Sequence, residues 1–350
     1  VDSFMNIKKL AKKLELSITT VSRGLGGYSD VSETTRKKII KFAKKYNYSP
    51  NPNASNLASR KTNTLGFVIP LYGLNSNKLN QASFFEFISG MSNKINSENI
   101  QFIMKFANTI EEEKKAYDNL IKVEKVNKVV LHNLKKNDPR IKFLQKNKIK
   151  FVGWGRTQGR INYPWVDLDN ESSTNLIMQY LFDRNHRNIA FINVDEKYNF
   201  AYQRKQGYLK FLKKNKIKFK KENYISVAYE DPDQVASVIE KKILKNSKIT
   251  AIICSTEYSA AGAIKACNKA NKKIGIDISL ITFDGNVVNF ITSPSLTAII
   301  HDRKVLGSKA IEILTSETKI KNNSYYLAKP EIIERGSVLT LKKWLKFNIL

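Results

Sequence analysis

Apolar positions in the first fifty residues recur at helical spacing. Ile7, Leu10, Ala11 and Leu14 fall at i, i+3, i+4 and i+7, which predicts a short helix with one buried face. Glu15-Leu16-Ser17 interrupts the pattern. Ser17 is a good N-cap for a second helix over Ile18–Arg23, with Val21 and Leu25 turned inward. Ser32 caps a third helix running to about Tyr46, with Ile39, Phe42, Ala43 and Tyr46 on one face. Two short helices joined by a tight turn, the second carrying small hydroxyl residues and one Arg, describe a helix-turn-helix.

From Thr64 the pattern changes to strand-length apolar runs alternating with helical stretches. Strands are expected at Leu65–Ile69, Phe102–Phe106, Lys128–Leu131 and Lys150–Gly153, with a helix over about Phe84 to Asn96. A second series follows at Ile189–Ile192, Tyr224–Val227, Ala251–Cys254 and Ser279–Phe283. Such alternation predicts parallel sheets covered by helices, and two series in tandem predict two lobes with a ligand crevice between them.

Composition narrows the function classes. Hydrophobic content of 42% and charged content of 26% are those of a globular chain, and no run of about 18 apolar residues predicts a membrane span. The start of the chain shows no apolar export segment, so a cytoplasmic location is expected. Of the formal +29 charge, +9 sits in residues 1–63, where 13 Lys/Arg face 4 Asp/Glu. That density favours phosphate contact. The remaining excess is spread over a Lys- and Asn-rich body, so the motif argues for DNA more strongly than the charge does. Cys254 and Cys267 are too few for a zinc site and are expected as buried thiols. His132, His186 and His301 have no ligand spacing; neither metal nor cofactor is expected. Glycine-rich phosphate loops are absent from the sequence, which disfavours a nucleotide-dependent enzyme.

Several motifs carry a family resemblance. Leu10-Ala11, Leu16-Ser17, Thr20-Val21-Ser22-Arg23, Val31 to Arg36 and Tyr48-Ser49-Pro50-Asn51 resemble the lactose/galactose repressor (LacI/GalR) family. So do Phe151 to Arg156, Val166 to Asn170, Arg187 to Ile192, Arg204-x-x-Gly207-Tyr208, Ile281 to Asp284, Ser293 to Thr297 and Glu334 to Ser337. The resemblance implies an all-α helix-turn-helix head over 5–49, a hinge helix over 50–63 and a bilobed, periplasmic-binding-protein-like α/β body over 64–340. Lobe 1 is expected at about 64–163 and 288–320, and lobe 2 at about 164–287 and 321–340, with a packed tail at 341–350. One departure concerns the turn before the second helix, where the family usually has Gly and this chain has Glu15. If φ is positive there, the side chain costs on the order of 1 kcal/mol.

By the same resemblance, Ser17, Ile18, Thr19, Thr20, Ser22 and Arg23 face the major groove of a pseudo-palindromic operator, with Arg23 the guanine reader. Ser32, Thr35, Tyr48 and Asn51 hold the DNA backbone, while Ala54 and Leu57 belong to a hinge helix whose Leu wedges into the minor groove. The implied assembly is a homodimer, with no membrane partner. The effector crevice would take Asp169, Arg204 and Asp284 as polar groups and Phe84 as an aromatic contact, with Trp165, Tyr198 and Phe200 as further stacking candidates. For each polar residue the alternative is an ordinary lobe-bridging ion pair. Thr256-Glu257 replaces the family's usual Asn-Asp, with Glu257 kept as an effector contact that can accept from hydroxyls, and Ala82-Ser83, after a polar loop from Tyr72 to Gln81, replaces its Asn-Pro. Those changes point to a reshaped pocket that takes a glycoside larger than a monosaccharide. The expected function is a ligand-controlled transcriptional regulator, a repressor in the family's usual sense, and not an enzyme. The alternative is a solute-binding protein, which shares the bilobed body but lacks a DNA-reading head.

Overall fold

Three helices gather around one small apolar cluster at the N-terminus. Helix α1 (Ile7–Leu14) starts at Asn6, whose side chain accepts from the Lys9 amide. Helix α2 (Ile18–Leu25) starts at Ser17, and α3 (Glu33–Lys45) at Ser32; each serine accepts from a backbone amide three residues on. Their inner faces bury Leu10, Ala11, Leu14, Val21, Val31, Ile39 and Ala43. Glu15, at the end of α1, has φ 56° and ψ 37°, the left-handed conformation that makes a non-glycine residue costly there.

The computed structural model describes residues 5–48, 63–72, 81–227, 231–245, 248–283, 292–316 and 324–342. It divides into two compact units, Val1–Asn63 and Thr64–Leu350. Asn51, Ala54 and Leu57 of the expected hinge, Asp284, positions 73–80 of the polar loop and positions 343–350 of the tail lie outside the described residues.

The larger unit contains two six-stranded sheets. The first holds β1 (Thr64–Pro70), β2 (Gln101–Ala107), β3 (Lys128–His132), β4 (Lys150–Trp154), β5 (Trp165–Leu168) and β11 (Tyr325–Ala328), in the order β11-β5-β4-β3-β1-β2. The second holds β6 (Ile189–Val194), β7 (Tyr224–Val227), β8 (Ala251–Cys254), β9 (Ser279–Phe283), β10 (Thr297–Ile300) and β12 (Glu331–Ile333), in the order β12-β10-β9-β8-β6-β7. All pairings are parallel except β10 with β12. The two sheets repeat one doubly wound order, so each reverses direction beside its first strand, where such sheets hold ligands.

Helices α4 (Gln81–Ser97), α5 (Ile110–Lys122), α6 (Pro139–Lys146) and α11 (Arg303–Thr315) belong to lobe 1. Helices α7 (Asn170–Asp183), α8 (Asn199–Lys214), α9 (Pro232–Ile239) and α10 (Glu257–Lys269) belong to lobe 2. Glycine sets the approach of α4 to α11: a Cβ on Gly90 would lie 1.9 Å from the Lys304 carbonyl oxygen, and one on Gly307 would lie 2.0 Å from that of Phe87. Both thiols are buried and free, Cys254 on β8 and Cys267 on α10.

Lobe membership differs from the expected boundaries in three places. Trp165–Leu168 extends the first sheet, Thr297–Ile300 lies in the second, and Tyr325–Ala328 returns to the first. The chain therefore changes lobe after Leu168, after Ile300 and after Ala328. Each switch follows a four-residue strand too short to carry its own periodicity, and strand pairing, not composition, decides where that strand belongs.

Candidate nucleic-acid interface and ligand crevice

The head exposes the start of α2. Ser17, Ile18 and Thr19 lie on the surface, Ile18 at 44% exposure, which is unusual for an isoleucine with no burial task nearby. Thr20, Ser22 and Arg23 are half-buried. The Ser17 hydroxyl caps the helix and lies 2.8 Å from the Thr20 hydroxyl, so both orient through this pair. Arg23 leans out of α2: its Nε approaches Asp30 Oδ2 at 2.7 Å, without hydrogen-bond geometry, and its guanidinium covers the Tyr28 ring at 4.6 Å. At the start of α3 the Ser32 hydroxyl donates to Thr35 Oγ1 at 2.8 Å. Tyr48 is half-buried against the head's apolar cluster, and burial raises its phenol above the usual value. The N-termini of α2 and α3, with their positive dipole ends and exposed hydroxyls, are suited to phosphate oxygens. Arg36 Nη2 donates to the Tyr28 carbonyl at 2.7 Å and fixes the loop joining them.

In the larger unit the carboxyl ends of both sheets meet. The Lys136 amide donates to the Lys197 carbonyl at 2.9 Å and the Asn199 amide to the Leu134 carbonyl at 3.0 Å, joining the loops after β3 and β6. On the lobe 2 side Arg204, only 4% exposed, is the central cation. Its Nε donates to Asn170 Oδ1 at 2.9 Å and its Nη1 to the Ser255 carbonyl at 2.6 Å. The guanidinium lies 3.8 Å over the Phe283 ring and 5.0 Å over Phe200. Asp169 is the N-cap of α7, accepting from the Ser172 amide at 3.0 Å and hydroxyl at 2.8 Å. Glu257, 6% exposed, opens α10 behind the Thr256–Ser259 capping box. Asp169, Arg204 and Glu257 thus all stand where strands of lobe 2, or the crossing from β5, deliver the chain to a helix. Tyr198, 7% exposed, forms an isolated bridge with Lys135 across the lobes, and Phe200 lies half-buried beside it, ring centroids 6.1 Å apart.

On the lobe 1 side Phe84 packs edge-on to Phe67 at 5.2 Å and lies 6.1 Å from the His132 ring. His132 and Trp154, the last residues of β3 and β4, continue this aromatic group, with ring centroids 6.2 Å apart. Neither was singled out from the sequence as a crevice residue; their place at the ends of adjacent strands was the available signal. Burial, then the charge of Arg140, lowers the His132 value to about 3 and keeps it neutral. Arg140 anchors a polar cluster alongside: Glu113 at 3.0 Å, Asp138 at 2.7 Å and the His132 carbonyl at 3.0 Å, with the Tyr72 hydroxyl donating to Glu113 at 2.5 Å.

Trp165, the first residue of β5, pairs in register with Gly153, one residue before Trp154, and stacks on Tyr325 at 4.8 Å. Its neighbour Asp167 was missed as a candidate. Burial raises that carboxyl to about 6, against the pull of Arg156, whose Nε lies 3.2 Å away.

Comparison with known proteins decides what this arrangement belongs to. Residues 6–51 match the model of bacterial regulatory proteins of the lacI family, and residues 178–338 match that of periplasmic binding protein-like domains. The HTH-type transcriptional regulator AglR of Rhizobium meliloti is 32% identical over 282 residues, 80% of this chain and 78% of its own length. The chain belongs to the lacI family of bacterial regulatory proteins. This lacI-family chain is a DNA-binding transcriptional regulator, and its family match covers the helix-turn-helix head. Its fold is that of the lac repressor dimer solved bound to operator and the anti-inducer ONPF, with a TM-score of 0.80 at 20% identity over 96% of this chain and 100% of that one. The transcriptional regulator CelR in complex with cellobiose gives 0.69 at 19% identity, covering 95% and 99%. Among the described residues of this regulator no helix is long and apolar enough to cross a membrane, and no cluster of His, Cys, Asp and Glu could hold a metal ion.

Proposed function

We propose that this lacI-family regulator acts in the cytoplasm as a homodimeric repressor on a pseudo-palindromic operator, and that a carbohydrate bound between its lobes releases it. Arg204 carries the effector half of this reading. A buried guanidinium braced by Asn170 and the Ser255 carbonyl, beside Asp169 and Glu257 and opposite Phe84, His132 and Trp154, matches sugar chemistry: charged groups for paired hydroxyls, ring faces for C–H surfaces. The cellobiose complex of a regulator with this fold is in line with a glycoside larger than one hexose. Control then follows if the sugar prefers one lobe arrangement over the other, since equal affinity for both would shift nothing.

In the operator complex Ser17, Ile18, Thr19, Thr20, Ser22 and Arg23 read the major groove, Ser32, Thr35, Tyr48 and Asn51 hold phosphates, and Ala54 and Leu57 form the minor-groove hinge. Dimerisation has a ready surface in β2, an outer strand of the first sheet that exposes Met104 at 41% and Phe106 at 59%.

The deciding experiment pairs calorimetry against cellobiose and glucose with gel shift on an inverted repeat selected from random DNA. Sugar binding and release from DNA are expected in the wild type, and Arg204→Ala is expected to lose both while retaining DNA affinity. Sugar binding unaltered in Arg204→Ala would place the effector elsewhere.

A further inference from the structure

Lobe 1 brings a guanidinium of its own to the edge of the crevice. Arg156 stands two residues beyond Trp154, where β4 has run out, and the Gly155 amide between them donates to the Val166 carbonyl at 2.8 Å. Two residues further on, the Gln158 amide donates at 3.0 Å to the Lys136 carbonyl, in the loop that joins the lobes. The Arg156 guanidinium lies 4.8 Å over the Trp165 ring, and its Nε is 3.2 Å from Asp167 Oδ2. The other oxygen of Asp167 accepts from the Leu168 amide at 2.8 Å and faces Asn170 Nδ2 at 3.5 Å. Asn170 in turn accepts from Arg204. A line of adjoining polar groups therefore runs from Arg156 of lobe 1, across the first crossing, to Arg204 of lobe 2.

Arg156 stands apart by the nitrogens it leaves unused. Asp167 takes Nε, the Trp165 ring covers one face, and the side chain is only 17% exposed. Nη1 and Nη2 nevertheless have no hydrogen-bond partner among the described residues, and both are open to solvent. Arg140, also in lobe 1, is the opposite case: it commits Nε, Nη1 and Nη2 to Asp138, Glu113 and the His132 carbonyl. The two terminal nitrogens of a guanidinium form a rigid fork that matches two adjacent oxygens. With Asp167 balancing the charge, and Asp169 and Glu257 also at the crevice, the acceptors this fork suits are neutral.

We infer that Arg156 is an effector-binding residue, the lobe 1 counterpart of Arg204, whose Nη1 and Nη2 donate to two neighbouring hydroxyls of the bound sugar. Asp167 is the positioning residue that presents it. This role rests on the crevice being the sugar site, and it gives that site a grip on both lobes. A ligand held by Arg204 on one side and Arg156 on the other binds best when the lobes bring both within reach, which is the differential affinity that control requires.

Calorimetry on the full chain with cellobiose and glucose tests it. Arg156→Gln is expected to weaken the sugar that binds about tenfold, and Arg156→Lys to recover only part of the loss, because an ammonium is a point donor without a fork. The double variant Arg156→Gln, Asp167→Asn leaves no unpaired buried acid behind and is expected to show the same tenfold loss, with cooperative melting retained. Monodeoxy derivatives of that sugar separate contact from support. At least one is expected to bind the wild type more weakly than the parent sugar yet to bind Arg156→Gln as well as the parent does, since the partner of its missing hydroxyl is already gone. A wild type that binds neither sugar would sink the crevice reading and this role together. Sugar binding that Arg204→Ala abolishes but Arg156→Gln and the double variant leave unchanged would overturn the role of Arg156 alone, as would deoxy losses of equal size in the wild type and in Arg156→Gln.

Discussion

On the proposed reading, Arg23 would leave one set of partners to meet another. In the free head its guanidinium is committed to Asp30 and Tyr28, and both partners are surface groups, so the pairing contributes at most about 1 kcal/mol. In the proposed operator complex a bidentate guanine contact, worth about 1–3 kcal/mol of discrimination, would outweigh that pairing. Arg23→Ala is expected to lose that discrimination at one base pair, while Asp30→Asn is expected to tighten operator binding a few-fold by removing a competing carboxylate. Equilibrium gel shifts on operator and random duplexes check both, and an Asp30→Asn head that binds no better would show that the pair does not compete with DNA. These residues were legible in the sequence because helix caps act over three or four positions: Ser17 and Ser32 announce their own helices. Arg204 was legible only by resemblance, since its partners Asn170 and Ser255 lie 34 and 51 residues away. Arg140 was not legible in the sequence, because Glu113, one of the acids it binds, lies 27 residues away on another element.

Helix ends explain much of what local pattern missed. Among the described residues, six helices finish with a left-handed residue two positions past their last turn, and none of these is glycine: Asn47, Asn99, Lys148, Asn185, Lys216 and Asn271, with φ between 48° and 68°. Glycine is the usual stop signal at that place, so a chain that stops on Asn and Lys hides its boundaries. Asn tolerates the conformation better than Lys, whose side chain gains nothing locally in return. Lys148→Gly, after α6, is therefore expected to stabilise the body by about 0.5–1 kcal/mol, read as a higher urea midpoint at unchanged slope. A lower midpoint would show that the Lys148 stem is packed usefully. The strands followed burial in the same way. The continuous apolar runs of β1, β6, β8 and β9 were legible, whereas β5, β10, β11 and β12 were not. Those four have three or four residues each and exist because a neighbour pairs with them.

The three crossings turn two sheets into one sensor, and the first of them carries a buried acid. Asp167 sits just before the switch after Leu168, where Arg156 of lobe 1 lies 3.2 Å from it and Arg204 of lobe 2 also lowers its value. Burial outweighs both cations and raises the carboxyl to about 6. A group whose folded value lies above its unfolded value of about 3.9 binds its proton more tightly in the folded chain. Folding stability from this group is therefore greatest below about pH 4, declines as pH rises toward 6, and is level above that, a loss on the order of 2–3 kcal/mol. Asp167→Asn removes the proton exchange while keeping the shape. Subtracting the variant's unfolding free energy from that of the wild type cancels every other titrating group, including His132, whose lowered value works in the opposite direction. That difference is expected to shift in favour of the variant between pH 4 and pH 7. A difference independent of pH would mean that Arg156 holds Asp167 ionised throughout, and that the crossing is clamped by a permanent ion pair and not by a protonated acid.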